Sequence, residues 1–188
     1  LDYAHTPDAL QTCILNIREQ FPDKHISVLF GCGGDRDKSK RSKMGKIADK
    51  YADKIYLTDD NPRHERPKKI RNEIKRGIKK SQIIEISNRK EAIVKAINNL
   101  NTGDILIVAG KGHEKIQQIG NRKVFLSDRQ IILNSIKKKN FNLSKNLKLN
   151  IFNERFDQNV LSSKSAINKA SINSKSVKKN DIFFAIKG

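Results

Sequence analysis

Residues 26–37, Ile-Ser-Val-Leu-Phe-Gly-Cys-Gly-Gly-Asp-Arg-Asp, are the most informative segment of the sequence for predicting the fold. Its first five residues form a short, mostly apolar run, which predicts a strand buried on both faces. Glycines follow at positions 31, 33 and 34, where they let the backbone turn sharply and leave room for a neighbouring segment. The stretch therefore predicts a central strand that ends in a polar, glycine-rich loop.

Similar units follow this stretch along the chain. Further strands are predicted at 54–58, 82–86 and 104–109, and helices at 38–51, 67–80, 88–99 and 128–138. Pro67 suits the first turn of its helix, and Ser87 is the predicted cap of the helix at 88–99. A hairpin is predicted over 116–125, turning at Gly120-Asn121. Strands that alternate with helices predict an α/β fold, a mostly parallel sheet with helices on both faces.

The last fifty residues differ from the rest. Residues 137–153 are rich in lysine and asparagine and weakly patterned, which predicts a linker or a frayed terminus. A polar stretch from 171, a turn at 179–181 and a predicted strand at 182–186 follow. We divide the chain into an α/β domain at 1–138, a linker at 139–160 and a short partial α/β remnant at 161–188. Leu1-Asp2-Tyr3 has the character of a strand end, and the sequence stops at Gly188 just after an apolar run. Both ends are therefore expected to be truncated.

The composition limits the possible functions. Lys and Arg number 39 against 20 Asp and Glu, a net charge of +19, which invites a nucleic-acid or polyanion partner. The lysines are scattered among many Ile and Asn residues, as AT-rich codons would give, and only three Tyr, eight Phe and no Trp are available for base stacking. We expect no nucleic-acid partner, and keep a non-catalytic polyanion-binding module as the alternative.

Cysteine spacing and hydropathy point to the compartment. Cys13 and Cys32 stand in no metal or redox spacing, which favours a reduced, cytoplasmic setting. No apolar run approaches the roughly 18 residues of a membrane span, so no span is expected. No metal site is expected either, although His5 and His113 with nearby carboxylates are conceivable ligands.

Polar segments marked by glycine or proline follow the strands, at 2–8, 31–37, 59–63 and 110–114. In open α/β sheets, ligands bind outside the carboxyl ends of the strands, so these segments are predicted to form one site. Arg36 and Arg63 are forked donors suited to a carboxylate, while Asp60 and Glu114 suit an ammonium group. An amino acid fits this mixture; the alternative is a surface network in which the charges pair with one another.

Two details of these loops concern phosphate. The chain contains neither G-x-G-x-x-G nor G-x-x-x-x-G-K-[ST], so it is not expected to hold a triphosphate by itself. Lys111 stands between Gly110 and Gly112, where it either touches a phosphate or is simply solvated, and the sequence leaves both open. The role of His113 is open too.

The segments D-Y-A-H-T-P-D at 2–8, G-C-G-G-D-R-D at 31–37, D-D-N-P-R at 59–63, G-K-G-H-E at 110–114 and S-D-R at 127–129 closely resemble the C-terminal domain of the Mur ligases. Within that family they resemble the UDP-N-acetylmuramoyl-tripeptide synthetases. The resemblance implies a Rossmann-like fold. It also implies an ATP- and Mg²⁺-dependent ligase that joins an amino acid to a UDP-linked muramoyl peptide through an acyl phosphate.

The resemblance assigns roles to residues. Asp60, Asn61, Pro62 and Arg63 would form a recognition loop for meso-diaminopimelate, with Arg63 holding its second carboxylate; Arg36, Gly110 and Glu114 would complete the pocket, and Asp2, Tyr3 and His5 would approach the nucleotide. The other substrate would be UDP-MurNAc-L-Ala-D-Glu. ATP and Mg²⁺ would be held mainly by upstream domains that are missing here, so this chain is not expected to catalyse alone. Residues 37–42 depart from the family's D-K-G-K-R-P, lacking its glycine and proline.

Residues 174–188 resemble the start of another Mur ligase's N-terminal, UDP-binding domain, written S-R-x-V-x-x-G-D-x-F-x-A-x-x-G in the family. The resemblance implies a tandem fusion with a D-alanyl-D-alanine-adding ligase, in which Ser174 would bind UDP. The alternative is a C-terminal extension that forms one stray hairpin. A related folate or poly-glutamate ligase is a further possibility for the whole chain, against which the D-N-P-R and G-K-G-H-E loops argue.

Overall fold

The computed structural model describes residues 1–153, 170–171 and 182–183, and side chains over residues 1–140. The strands are β1 (Ile26–Phe30), β2 (Lys54–Leu57), β3 (Gln82–Glu85), β4 (Ile105–Val108), β5 (Ile116–Ile119), β6 (Arg122–Phe125), β7 (Ala170–Ser171) and β8 (Ile182–Phe183). The helices are α1 (Pro7–Gln20), α2 (Ser39–Tyr51), α3 (Pro67–Lys75), α4 (Arg89–Asn98) and α5 (Asp128–Asn153).

The first four strands form one parallel sheet in the order β3-β2-β1-β4. Strand β1 lies inside the sheet, and all five of its residues are buried, as the apolar run predicts. Val28 of β1 faces Ile55 of β2 and Ile107 of β4 across the ladder. The remaining strands pair separately, β5 with β6 as an antiparallel hairpin and β7 with β8 in parallel.

Helices cover both faces of the sheet, so the α/β prediction is confirmed. Successive residues of a strand point to opposite faces, and Val28 and Leu29 accordingly belong to two different cores. The Val28 core is closed by α1, α2 and α3, and the Leu29 core by α4 and α5. The sheet is thus packed against helices on both faces, and the loops at its carboxyl-terminal edge extend from this packed core.

Helix α1 has no counterpart among the predicted elements. Thr6 caps it by accepting a hydrogen bond from the amide of Ala9 at 3.3 Å, and Pro7 occupies its first turn. Its buried residues Leu10, Cys13, Ile14 and Ile17 follow the three- and four-residue spacing of one helix face. The signal was therefore present in the sequence.

Three predicted helix boundaries are wrong. Helix α5 runs to Asn153, not to 138, and no glycine or proline interrupts it, so residues 137–153, predicted to be a linker or a frayed terminus, are helical. Helix α3 ends at Lys75, not at 80. The cap of α4 is Asn88, whose side chain accepts from the amide of Glu91, and not Ser87.

Only part of the predicted C-terminal remnant can be compared with the structure. The strand predicted at 182–186 corresponds to β8, which covers Ile182–Phe183. The predicted turn at 179–181 and Ser174 lie outside the described residues.

Candidate functional site

The polar segments predicted to share a site do meet at one edge of the sheet. The loops 31–37, 59–63 and 110–114 follow β1, β2 and β4, which are parallel, so all three leave the sheet at its carboxyl-terminal edge. The amide of Asp2 donates to the carbonyl of Val108 at 2.9 Å, which brings the N-terminal segment beside the end of β4.

The glycine-rich loop 31–37 lies in direct contact with the recognition loop 59–63. The amide of Gly34 donates to the carbonyl of Asn61 at 2.8 Å. A Cβ atom at Gly34 would lie 1.9 Å from the carbonyl oxygen of Pro62, so no other residue fits without moving the backbone. Pro62 is buried here, and its carbonyl accepts from the amide of Glu65.

Arg63 has an unusual backbone conformation at the end of the recognition loop. Its φ of 48° lies in the left-handed region, which non-glycine residues adopt rarely. The β5–β6 hairpin holds the residue there, since the amide of Arg63 donates to the carbonyl of Gln118 at 3.0 Å and Gly120 donates to the carbonyl of Arg63 at 2.6 Å. Its Nη1 donates to the carbonyl of Gly34 at 2.8 Å. The arginine is therefore fixed by both neighbouring loops.

Asn61, Lys111 and Glu114 form a hydrogen-bonded group that we call the Lys111 cluster. Lys111 is fully buried, and its Nζ donates to Asn61 Oδ1 at 3.3 Å, to Glu114 Oε2 at 3.2 Å and to the carbonyl of Ile116. Asn61 Nδ2 donates to the same Glu114 oxygen at 3.1 Å. Neither alternative for Lys111 therefore holds: it is not solvated, and the three protons of its ammonium are already directed at protein acceptors, with none left for a phosphate.

Glu114 also connects the cluster to the N-terminal segment. Tyr3 Oη donates to Glu114 Oε1 at 3.4 Å. Burial alone would raise the pKa of the Glu114 carboxyl, but hydrogen bonds from Asn61, Lys111 and Tyr3 hold that pKa below its usual value. Burial and the neighbouring carboxylate raise the pKa of Tyr3. Glu114 is thus held as an anion at neutral pH.

The exposed ring of Tyr3 lies between two histidines. The centroid of the Tyr3 ring lies 4.7 Å from that of His5 and 5.7 Å from that of His113, and the Tyr3 and His113 rings are stacked. His5 is exposed, and its Nδ1 lies 2.9 Å from the carbonyl of Tyr3. Asp2 instead accepts from the amide of Ala4 at 2.7 Å and shapes the local turn. The structure therefore presents Tyr3 and His5 to solvent and uses Asp2 within the segment.

Asp60, the first residue of the recognition loop, is buried. Its Oδ1 accepts from the amide of Asn61 at 2.7 Å, and its carbonyl accepts from Gln117 Nε2 at 2.6 Å. Gly110 has a φ of 109°, and a Cβ there would lie 2.9 Å from Asp60 Oδ2, so the glycine leaves room for this carboxylate.

Arg36 is exposed and borders the same glycines as Arg63. A Cβ added to Gly33 would lie 2.8 Å from Arg63 Nη1 and 3.7 Å from Arg36 Cγ. The charge of Arg36 acts to lower the pKa of Tyr3, against the larger effects of burial and Glu114 that raise it. Among residues 1–140, the Arg36 guanidinium has no hydrogen-bonding partner. The predicted pocket residues are therefore gathered around Gly33, Asn61 and Glu114.

Two further clusters join the loops, and neither was predicted from the sequence. In the Arg41 cluster, Arg41 Nη2 donates to Glu65 Oε1 at 2.8 Å and to the carbonyl of Gly33 at 3.1 Å, while Nη1 donates to Glu73 Oε2 at 2.6 Å. In the His64 cluster, the imidazole lies between Asp35 at 2.8 Å and Asn121 at 3.1 Å. The side-chain partners in both clusters are more than 20 residues apart in sequence, so no local pattern reveals them.

A buried ion pair contacts the backbone immediately before the loop 110–114. Arg89 and Asp128 are both fully buried, and Arg89 Nη2 donates to Asp128 Oδ2 at 2.7 Å and to the carbonyl of Ala109 at 2.9 Å. The pair joins the starts of α4 and α5 to the end of β4. Asp128 belongs to the S-D-R element noted in the sequence, which therefore has a structural contact in this fold.

Among the described residues, no feature supports a metal site, a membrane-spanning helix or a nucleophilic thiol. Within them, no group of three or more His, Cys, Asp or Glu side chains is placed to hold a metal ion. None of the helices that the structure describes is long and apolar enough to cross a bilayer. Burial raises the pKa of the thiols of Cys13 and Cys32 to about 12, so neither is a ready nucleophile.

The fold and the gathered loops define a class of proteins. The chain matches the family model described as "Mur ligase, glutamate ligase domain" over residues 1–112. It therefore belongs to the Mur ligase family, through that family's C-terminal domain.

Two relatives and one solved structure share the same protein name. The UDP-N-acetylmuramoyl-L-alanyl-D-glutamate–2,6-diaminopimelate ligase of Rickettsia rickettsii is 55% identical over 138 residues, which are 73% of this chain and 29% of that protein. The ligase of the same name from Buchnera aphidicola subsp. Baizongia pistaciae is 48% identical over 145 residues, 77% of this chain and 28% of that protein. A solved structure of a ligase with this name aligns with a TM-score of 0.69 at 37% identity, over 73% of this chain and 28% of that one. The chain thus spans less than a third of these relatives.

Proposed function

We propose that this chain is the amino-acid-binding part of an ATP-dependent ligase that adds meso-diaminopimelate to UDP-MurNAc-L-Ala-D-Glu. Relatives that are 48–55% identical bear the name of that ligase. The site described above has the chemistry that such a substrate needs.

The arrangement of Arg63, Arg36 and Glu114 carries the proposal. Arg63 Nη1 donates a hydrogen bond to the carbonyl of Gly34. Within residues 1–140, the other N–H groups of the Arg63 guanidinium have no hydrogen-bonding partner, and the Arg36 guanidinium has none either. Glu114 accepts a hydrogen bond at 3.1 Å from Asn61, which lies two residues before Arg63 in the recognition loop. Two forked cations and one carboxylate complement a ligand that carries two carboxylates and two ammonium groups.

The same arrangement accounts for a choice between diaminopimelate and lysine. The two amino acids differ by the second carboxylate, which only diaminopimelate offers to a guanidinium. Since Arg63 is held in a left-handed conformation by hydrogen bonds on both sides, its guanidinium is placed before the ligand arrives. A site built for a charged group disfavours the analogue that lacks it, because the guanidinium donors placed for that group are then left without it.

In the proposed reaction, this chain binds and orients the attacking amine. Glu114 and its neighbours hold one end of the ligand, and Arg63 and Arg36 hold a carboxylate. ATP and Mg²⁺ would supply the activation of the dipeptide carboxylate as an acyl phosphate. The described residues offer no metal cluster, so we assign Mg²⁺ and most of the nucleotide site to the parts of the relatives that this chain does not span. Tyr3 and His5, exposed beside Glu114, and the adjacent Asp2 are proposed to approach the nucleotide.

Several parts of the proposal rest on the resemblance in sequence. We place the reaction in the cytoplasm, with no nucleic-acid partner. We keep the division into a domain at 1–138, a linker segment at 139–160 and the start of a following ligase at 161–188, and for Ser174 the role of binding UDP. Helix α5 crosses the first boundary, so the linker segment begins as helix.

Calorimetric titration of the 188-residue chain with meso-diaminopimelate and with L-lysine tests the proposal. We expect diaminopimelate to bind more tightly, and Arg63→Ala to remove most of the difference, about 1.5–3 kcal/mol for hydrogen bonds to a charged group. Arg76→Ala, which removes an exposed arginine at the end of α3, is the matched control and should change neither affinity.

Two results would count against this function. One is an Arg63→Ala variant that keeps both its affinity for diaminopimelate and its discrimination against lysine. The other is salt-sensitive retention on heparin that survives neutral substitution of Arg36 and Arg63, with no effect of diaminopimelate, which would favour a polyanion-binding module.

A further inference from the structure

Lys111 is a fully buried charged side chain at the candidate site. Its exposure is 0%, although it stands between two glycines in a polar loop. An ammonium group has three protons and no acceptor, and here the three acceptors are Asn61 Oδ1, Glu114 Oε2 and the carbonyl of Ile116. Burying a charge is unfavourable unless it is paired and hydrogen-bonded, and this one is both. Lys111 therefore acts on the protein and not on a ligand.

The first effect of Lys111 is to orient the Asn61 amide. Asn61 Oδ1 accepts from Lys111 Nζ at 3.3 Å and from the amide of Gln118 at 3.0 Å. With its oxygen engaged by two donors, the amide must present its NH₂ group on the opposite side, where Nδ2 donates to Glu114 at 3.1 Å. The recognition loop and the loop 110–114 are thus joined through one fixed amide.

The second effect is on the acceptor capacity of Glu114. An ionised carboxylate has about four acceptor positions. Lys111 and Asn61 both donate to Oε2, and Tyr3 donates to Oε1 at 3.4 Å. About one position then remains, on the Oε1 side. The carboxylate is left with a single direction in which to receive an ammonium group.

We propose that Lys111 is a positioning residue of the amino-acid site, which fixes the orientation of Asn61 and Glu114 so that Glu114 receives one amine of a diamino dicarboxylate ligand through Oε1. The inference rests on the proposed function for the identity of the ligand. It assigns to the lysine of the G-K-G-H-E segment neither a phosphate contact nor a ligand contact.

The charges around Glu114 determine what the loss of Lys111 does. Lys111 and Asn61 face the carboxylate directly, and Tyr3 approaches from the N-terminal segment. Asp60 of the recognition loop and Arg89 of α4 lie further from the Glu114 carboxylate. The charges of Asp60 and Glu114 both interact with the Arg89 guanidinium. Because burial opposes ionisation, removing the ammonium moves the pKa of Glu114 upward.

A pair of lysine substitutions tests the inference with ligand. Lys111→Met keeps the length of the side chain and removes its charge, and Lys115→Met makes the same change at an exposed lysine of the adjoining segment. We expect Lys111→Met to weaken meso-diaminopimelate binding roughly 10- to 100-fold, as for lost hydrogen bonds to a charged group. We also expect the acidic limb of the binding-versus-pH curve to move to higher pH, while Lys115→Met changes neither. A folded Lys111→Met chain with unaltered affinity and acidic limb would overturn the inference.

A second measurement needs neither a variant nor a ligand. In the unsubstituted chain, the ¹⁵N-detected ammonium protons of Lys111 should exchange with water far more slowly than those of Lys115. Equally fast exchange would overturn the inference even if Lys111→Met failed to fold. Slow exchange in a chain that does not bind meso-diaminopimelate would leave the contacts intact and reject the ligand, so that the proposed function would be the part that had failed.

Discussion

Two ion-pair clusters join the same two loops of this protein, and they differ in burial. The Arg41 cluster is enclosed, with 0% of the Arg41 side chain and 14% of Glu65 exposed. The His64 cluster is open, with 62% of His64 and 40% of Asp35 exposed. Both reach from the glycine-rich loop to the segment that follows Arg63, so they serve the same geometry.

The difference shows which cluster fixes that geometry. Exposed ion pairs contribute roughly 0–1 kcal/mol because water screens them and two side chains lose freedom. Removing one partner from a buried pair instead leaves an uncompensated charge. Arg41 also donates to the carbonyl of Gly33, and Glu65 accepts from the amide of Asp35 at 2.7 Å, so this cluster holds the backbone as well. We infer that the Arg41 cluster sets the approach of the loops and that the His64 cluster follows it.

The largest effect is expected for Arg41→Met. The change leaves Glu65 and Glu73 without their buried partner and should lower the free energy of unfolding by about 3–5 kcal/mol. Urea denaturation at pH 7 measures it, with Lys43→Met, an exposed lysine of the same helix, as the control. A loss below roughly 1 kcal/mol, the range of exposed pairs, would remove the contrast between the clusters.

An intermediate effect is expected for Glu65→Gln. Hydrogen bonds from Arg41 outweigh the effect of burial and lower the pKa of Glu65 from 4.5 to about 2. A lowered pKa in the folded state stabilises the protein above pH 4.5, and this stabilisation is lost as the pH falls from 4.5 towards 2.

Glu65→Gln should therefore destabilise the chain by roughly 1.5–3 kcal/mol at pH 7 and flatten the acidic part of the stability curve. Chemical denaturation at a series of pH values gives both quantities. An acidic limb as steep in the variant as in the parent chain would assign acid sensitivity to other carboxylates, such as Asp49, whose pKa is also lowered to about 2.

The smallest effect is expected for His64→Gln. Hydrogen bonds to Asp35 and Asn121 raise the pKa of His64 above 6.5. A raised pKa in the folded state gives stabilisation that is complete below pH 6.5 and disappears as the pH rises through the folded-state value. The variant should differ slightly from the parent at pH 5.5 and not at pH 8.5, and 0.5 M salt should remove the difference. A change as large as that of Glu65→Gln would reverse the ranking.

Much of the fold could be predicted from local sequence. The apolar runs around Val28, Ile55 and Ile107 mark buried strands because a strand covered on both faces excludes polar residues. The errors are helix α1, which was not predicted, and the helix ends, where Asn88 caps α4 and α5 continues to Asn153. Capping and termination depend on a few competing residues, so they are harder to predict than the elements themselves.

The location of the candidate site could also be predicted, because parallel strands bring their carboxyl ends to one edge. The partners of each side chain could not. Lys111 is a buried, fully bonded ammonium, and nothing in Gly-Lys-Gly distinguishes that state from a solvated one. Its acceptor Asn61, in the recognition loop, is 50 residues away, and a further acceptor is the carbonyl of Ile116 at the start of the β5–β6 hairpin.

By itself, the sequence determined the order of strands and helices, the motifs of a Mur ligase C-terminal domain and the residue types that reach the sheet edge, because these follow from side-chain pattern and local backbone preference. The burial of Arg41 and Lys111, and the exposure of His64 and Arg36 to water, depend instead on how the chain folds. The free energy of a charge depends on how far its neighbours exclude solvent, and those neighbours are brought together by the fold and not by adjacency in the chain.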